Sequence, residues 1–146
     1  MRTSYKKEDV TILLKDITGM IDPLPTSERE KLIQSGMHYC QMLPLEYVPS
    51  KEYMEAYNQA LLAFSKSVAD ATAIVSDKII KLKGNNVVLV SLARAGIPIG
   101  ILIKHYIFWK YKIDVPHYSV SIIRGKGIDK NAINYILKRH QACQIQ

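Results

Sequence analysis

Three stretches of this chain hold residues whose types and spacing could do chemistry. In Leu89-Val90-Ser91-Leu92-Ala93-Arg94-Ala95-Gly96-Ile97-Pro98 an apolar run breaks into a small-residue turn around one arginine and then starts a helix. Ala93, Ala95 and Gly96 let backbone approach a ligand, and Pro98 suits the first turn of a helix whose N–H groups and dipole favour an anion. Ala93, Arg94, Ala95, Gly96 and Ile97 are therefore the candidate cradle for phosphate or pyrophosphate. In Arg124-Gly125-Lys126-Gly127 two cations alternate with glycines, which suits a mobile hood over a bound phosphate and equally a solvated basic turn. His38 and Cys40 are near neighbours of the types that thiol catalysis uses, but catalytic pairs meet in space, so this spacing alone is uninformative. A packed loop, or an acceptor pocket lined by His38 and Tyr39, is the competing reading.

The other histidines, His105, His117 and His140, have no ligand spacing and read as structural. Asp129 precedes a helical pattern and reads as its cap rather than as an acid or base. Tyrosines at helical spacing in the N-terminal half read as core or rim residues.

The elements around these residues follow from the pattern. Residues 8–17 suit a short helix, and Ser27-Glu28-Arg29-Glu30 has capping-box spacing for a brief helix to Gly36. Residues 35–46 carry neither helical nor strand period and read as an ordered loop. Ser50 can cap a long helix to about Leu82, with Tyr53, Tyr57, Ala60, Leu61, Phe64, Val68, Ala71, Val75 and Ile79 along one face, expected to be core. The apolar, β-branched run at 87–91 is a buried parallel strand, followed by a helix at 97–111 and a strand at 117–123. That is a βαβ unit. A further helix runs from Asp129 to Arg139, and Gln144-Ile145-Gln146 reads as the beginning of another strand.

Composition bounds the class. At 146 residues, 48% hydrophobic and 23% charged, the chain is one folded domain's worth, with a mostly helical part up to 83 and a βαβα core from 84. The formal charge of +7 is uneven: residues 1–82 hold ten Lys and Arg against eleven Asp and Glu, and residues 83–146 hold ten against two. This favours a polyanionic ligand near the turn at 93–97, with nucleic acid second. No zinc-finger, KH or RRM signature supports sequence-specific nucleic-acid binding. Cys40 and Cys143, far apart and without metal spacing, suggest a reducing compartment, and no apolar stretch spans a bilayer, so the expected location is cytoplasmic.

The turn Leu92-Ala93-Arg94-Ala95-Gly96 resembles the pyrophosphate loop of type I phosphoribosyltransferases. More narrowly, Ser35-Gly36-Met37-His38-Tyr39, Met42-Leu43-Pro44-Leu45-Glu46, the segment 90–100 and the segment 117–129, in that order, resemble the phosphoribosyltransferase-like family of tellurite-resistance gene clusters, which is also labelled the StiP cysteine protease family. The resemblance covers nearly the whole chain. It implies an α/β fold of type I phosphoribosyltransferase kind, a Rossmann-like parallel sheet with flanking helices. It also implies transfer of a phosphoribosyl group to or from a base-like acceptor, in making a nucleoside-like compound linked to tellurite or stress resistance. Phosphoribosyl pyrophosphate with magnesium would sit on the 93–97 turn, and Arg124 and Lys126 would meet the leaving group. The implied partners are that small molecule, an RNA or nucleoside-like acceptor, and a second copy or partner chain completing the sheet. Family members continue past the equivalent of Ile145 into an acidic, glycine-containing loop, so the resemblance further implies a truncated, N-terminal part of a domain. A non-catalytic sensor of phosphoribosyl pyrophosphate or nucleotide is the alternative. Cysteine-protease chemistry is disfavoured, because members often carry serine where this chain has Cys40.

Overall fold

The structure, a computed structural model, describes residues 3–146. These fall into two compact units: residues 15–63, and the residues up to 14 together with 64–146. The first strand, β1 (Thr11–Ile12), belongs to the second unit. It replaces the helix expected over 8–17. Val10 is buried, Leu13 N–H bonds the Ser119 carbonyl at 2.9 Å, and the β-branched run Val10-Thr11-Ile12 suits a pleated strand better than a helix.

In the first unit β2 (Pro23–Leu24) pairs in parallel with β3 (Leu43–Pro44). Between them lie α1 (Thr26–Gln34) and a 3-10 turn at Tyr39–Gln41. The capping box expected at Ser27 does not form, because Thr26 and Ser27 are already inside the helix and the cap position falls on extended Pro25. Gly36, at φ 97°, ends α1: its N–H bonds the Ile33 carbonyl while Met37 N–H reaches back to Leu32, satisfying the last carbonyls.

The long helix α2 (Lys51–Lys83) begins where expected, with Ser50 Oγ accepting the Tyr53 N–H at 3.2 Å. Its apolar face does not form the expected core. Of that face only Ile79 is buried, while Tyr53, Tyr57, Leu61, Phe64, Val68 and Val75 stand exposed. An amphipathic period says which side of a helix can be covered, not that a surface exists to cover it. The last turns do find one, since Ile79 and half-buried Ile80 pack with the sheet's apolar side chains.

The second unit is built on a parallel sheet of β1, β5 (His117–Val120) and β4 (Leu89–Leu92), in that order. The C-terminal residues extend it only in part: Gln144, expected to open a strand, ends a 3-10 turn (Ala142–Gln144), and Ile145 forms an isolated bridge. Val88 bridges Ile145 in parallel, Val90 N–H bonds the Gln146 carbonyl at 2.8 Å, and Gln146 N–H bonds the Val88 carbonyl at 2.9 Å. Successive side chains of 87–90 alternate between faces. Val87 and Leu89 join Ile79, Ile107 and Val115 beneath α2 and α3 (Gly96–Tyr111), whereas Val88 joins Val120, Ala132 and Ile136 against α4 (Lys130–Leu137). Asp77 ties α2 to α3, accepting from Lys110 Nζ at 2.7 Å and from the Tyr111 hydroxyl at 2.8 Å.

The strand expected over 117–123 ends at Val120, and Ile122–Ile123 turns away to pair antiparallel with Gly127–Ile128. The result is a mixed α/β protein with a small parallel sheet and flanking helices. Among the described residues no helix is long and apolar enough to cross a membrane.

Candidate functional site

In the first unit, the left-handed Gly36 turns the chain so that His38 becomes the cap of the 3-10 turn that follows. Its own N–H donates to Gln41 Oε1 at 3.3 Å, and its ring nitrogen Nδ1 accepts the Cys40 N–H at 3.3 Å. The same Nδ1 lies 2.9 Å from Cys40 Sγ. Because Nδ1 accepts from an amide, the neutral ring carries its proton on Nε2, and the single Nδ1 lone pair is shared between the Cys40 N–H and the thiol. The S–H proton has a base to go to, and its transfer would give a thiolate beside an imidazolium. The Tyr39 ring braces the imidazole at 4.6 Å between centroids, and Met42, buried, anchors the far end of the turn. Cys40 is half-buried and free. Cys143, also free, is exposed and contacts the Gln141 amide oxygen rather than an imidazole.

The sequence names His38 and Cys40 but cannot join them. What joins them is the 3-10 turn, in which a capping side chain folds onto the residue two positions later. The signal for that turn is Gln41, three residues after His38, where it completes a capping box.

The other candidate residues lie in the second unit. Leu92 pairs with Val120, so the 93–97 turn and the 122–128 hairpin both leave from the carboxyl end of the sheet, and α3 and α4 then run over opposite faces. Arg94 is exposed at φ 73°. Ala93 N–H bonds the Val120 carbonyl at 2.8 Å, and Ile97, buried, bonds the Arg94 carbonyl at 3.2 Å, so two of the five cradle amides already have partners in the chain. Ala95 is the residue before the helix, and Gly96 packs α3 against β4, where a Cβ would lie 3.4 Å from that of Ser91. Arg124 and Lys126 are exposed in the turn of the hairpin, closed by Lys126 N–H to the Ile123 carbonyl at 3.0 Å. Asp129 is a cap: its Oδ1 accepts from the N–H groups of Asn131 at 2.8 Å and Ala132 at 3.2 Å.

A buried relay under α3 escapes the sequence reading. His117 Nδ1 lies 2.9 Å from the Asp9 carbonyl, which can only accept, so Nε2 of the neutral ring accepts the Ser91 hydroxyl at 2.8 Å. Burial holds the His117 pKa below its ordinary value, the nearby Lys104 charge adds to this, and the Asp9 carbonyl and carboxylate oppose it. Ser119 Oγ is buried beside it without a partner among the described residues. The available signal was two alternating polar positions, Ser91 on one strand and His117 with Ser119 on the next, inside otherwise apolar runs. Among the described residues no group of three or more His, Cys, Asp or Glu side chains is placed to hold a metal ion.

A capped thiol–imidazole pair in a mixed α/β protein defines a candidate thiol enzyme. The chain belongs to the family of the tellurite-like stress resistance cysteine protease StiP, whose pattern it matches over residues 3–146. It is 40% identical over 138 residues to Cysteine protease StiP of Acinetobacter baylyi, an alignment covering 94% of this chain and 35% of that relative. The chain thus spans about a third of the length of the curated relative it matches. No solved structure matches it.

These findings correct the expected function. Family and relative are both named as cysteine proteases, not as phosphoribosyltransferases. The transferase and glycosyltransferase reading is withdrawn. The error has a physical source: a strand, a small-residue turn and a helix recur wherever a parallel strand hands over to a helix, and the fold element does not carry the reaction.

Proposed function

We propose that this chain carries the nucleophile and base of a cysteine protease, Cys40 and His38. The observation that carries the reading is the 2.9 Å approach of His38 Nδ1 to Cys40 Sγ, in a chain of this family. Nδ1 takes the thiol proton as sulfur attacks a peptide carbonyl carbon, and the imidazolium returns that proton to the leaving amine as the C–N bond breaks. Water then hydrolyses the thioester with His38 again as base, restoring the thiol. The free state of both cysteines supports a reducing, cytoplasmic setting for this chemistry. The finer fold reading is kept apart from function. The parallel β4 and β5, the turn at Arg94 and the helices on both faces support a type I phosphoribosyltransferase-like arrangement of the second unit.

The test is hydrolysis of dye-labelled casein, with alkylation of Cys40 by iodoacetamide followed in a Cys143→Ser background. Cys40→Ser should abolish hydrolysis and His38→Ala should lower it by about 10²–10⁴-fold, while Cys143→Ser leaves it intact. Alkylation needs no completed substrate site, and His38→Ala should slow it. Hydrolysis surviving Cys40→Ser, or equal alkylation rates with and without the imidazole, would overturn the assignment.

A further inference from the structure

The exposed stripe of α2 has a period that a single globular body does not require. Met54, Tyr57, Leu61, Phe64, Val68, Ala71, Val75, Lys78 and Leu82 follow one another at alternating steps of three and four residues. That is the 3.5-residue repeat of a coiled-coil seam, sustained for roughly 40 Å at 1.5 Å per residue. In the last turns of the helix a different side, Ser76 and Ile79, is buried in the protein's own core. The apolar seam residues longer than alanine keep 41–80% of their surface exposed. The positions flanking the seam are mostly short, Asn58, Ala60, Ser65, Ser67 and Thr72, so a second helix could approach closely. A continuous apolar stripe of this extent on an otherwise soluble surface marks an interface.

We propose that the seam pairs with the α2 seam of a second copy of this chain, in antiparallel orientation about a two-fold axis. Side-chain volume selects that arrangement: Tyr57 would face Val75, Leu61 would face Ala71 and Phe64 would face Val68, large against small at these three central layers. Charge selects it too. In the antiparallel register Lys78 would face Met54 rather than another cation. A parallel pair would bury Lys78 against its own counterpart. The contact is isologous, so it closes at two copies.

Sedimentation analysis of the full chain across the micromolar range tests this. The wild type should run as a dimer. Phe64→Glu, a substitution at an exposed site with helix content checked by circular dichroism, should run as a monomer. In a Cys40→Ser, Cys143→Ser background, mild oxidation of the Leu61→Cys, Ala71→Cys double variant should give a covalent dimer, while each single variant should not. The proposal is overturned by a wild type that stays monomeric, by Leu61→Cys alone cross-linking as well as the pair, or by a chain that associates only when the remaining two-thirds of a full-length relative is supplied.

Discussion

At Gly100 the α3 backbone passes so close to His117 that an added Cβ would overlap Nε2 and lie 2.6 Å from Cε1. Nε2 is the atom that accepts the Ser91 hydroxyl, so a methyl there must displace the ring from both hydrogen bonds it makes. Gly100→Ala should therefore cost about 1–3 kcal/mol, as overpacking does, read as a lower urea midpoint. Gly96→Ala is the control, since its Cβ would make contacts of 3.4 Å and longer and alanine favours the helix. Equal midpoints for the two variants would refute the close-approach argument. The same residues illustrate what one sequence can disclose. The small side chains at 93–96 announce a tight place, but whether a ligand or a neighbouring strand fills it depends on packing, and at Gly96 it is Ser91.

Among the elements, α4 and α1 form a contrast. Asp129 accepts two backbone N–H bonds at the start of α4, whereas α1 begins at Pro25 with no side-chain cap. Asp129→Ala should destabilise the protein by about 1 kcal/mol, seen as a drop in the thermal midpoint, and Ser27→Ala should leave it nearly unchanged. A Ser27→Ala loss as large as that of Asp129→Ala would restore the capping box that the structure lacks. Elements whose signal is local were legible: the start of α2 at Ser50, the cap at Asp129 and the apolar run of the buried strand near 87–91. Elements decided by distant partners were not. Thr11–Ile12 becomes a strand because β5 offers it an edge, and the α2 stripe stays exposed because no described element lies against it. The thiol–imidazole pair was half legible, with its residue types in view but not the 3-10 turn that closes it.

At the scale of the whole molecule, the two faces of the sheet are unlike. The α4 face is apolar, with Val88, Val120, Ala132 and Ile136, whereas the α3 face holds Ser91, His117 and Ser119. The native protein resists protonating His117, while the unfolded chain takes up that proton near its ordinary value of 6.5. As pH falls through that value the unfolded state binds more protons, so stability declines below it and is unaffected well above it. Urea midpoints from about pH 7.5 to about pH 5 should fall more steeply for wild type than for His117→Gln; identical slopes would remove the imidazole from the account. The consequence extends to how the molecule opens. Acidification loosens one cover of the sheet and spares the other, so amide hydrogen-exchange protection, corrected for intrinsic rates, should drop first in the opening turns of α3 while α4 stays closed.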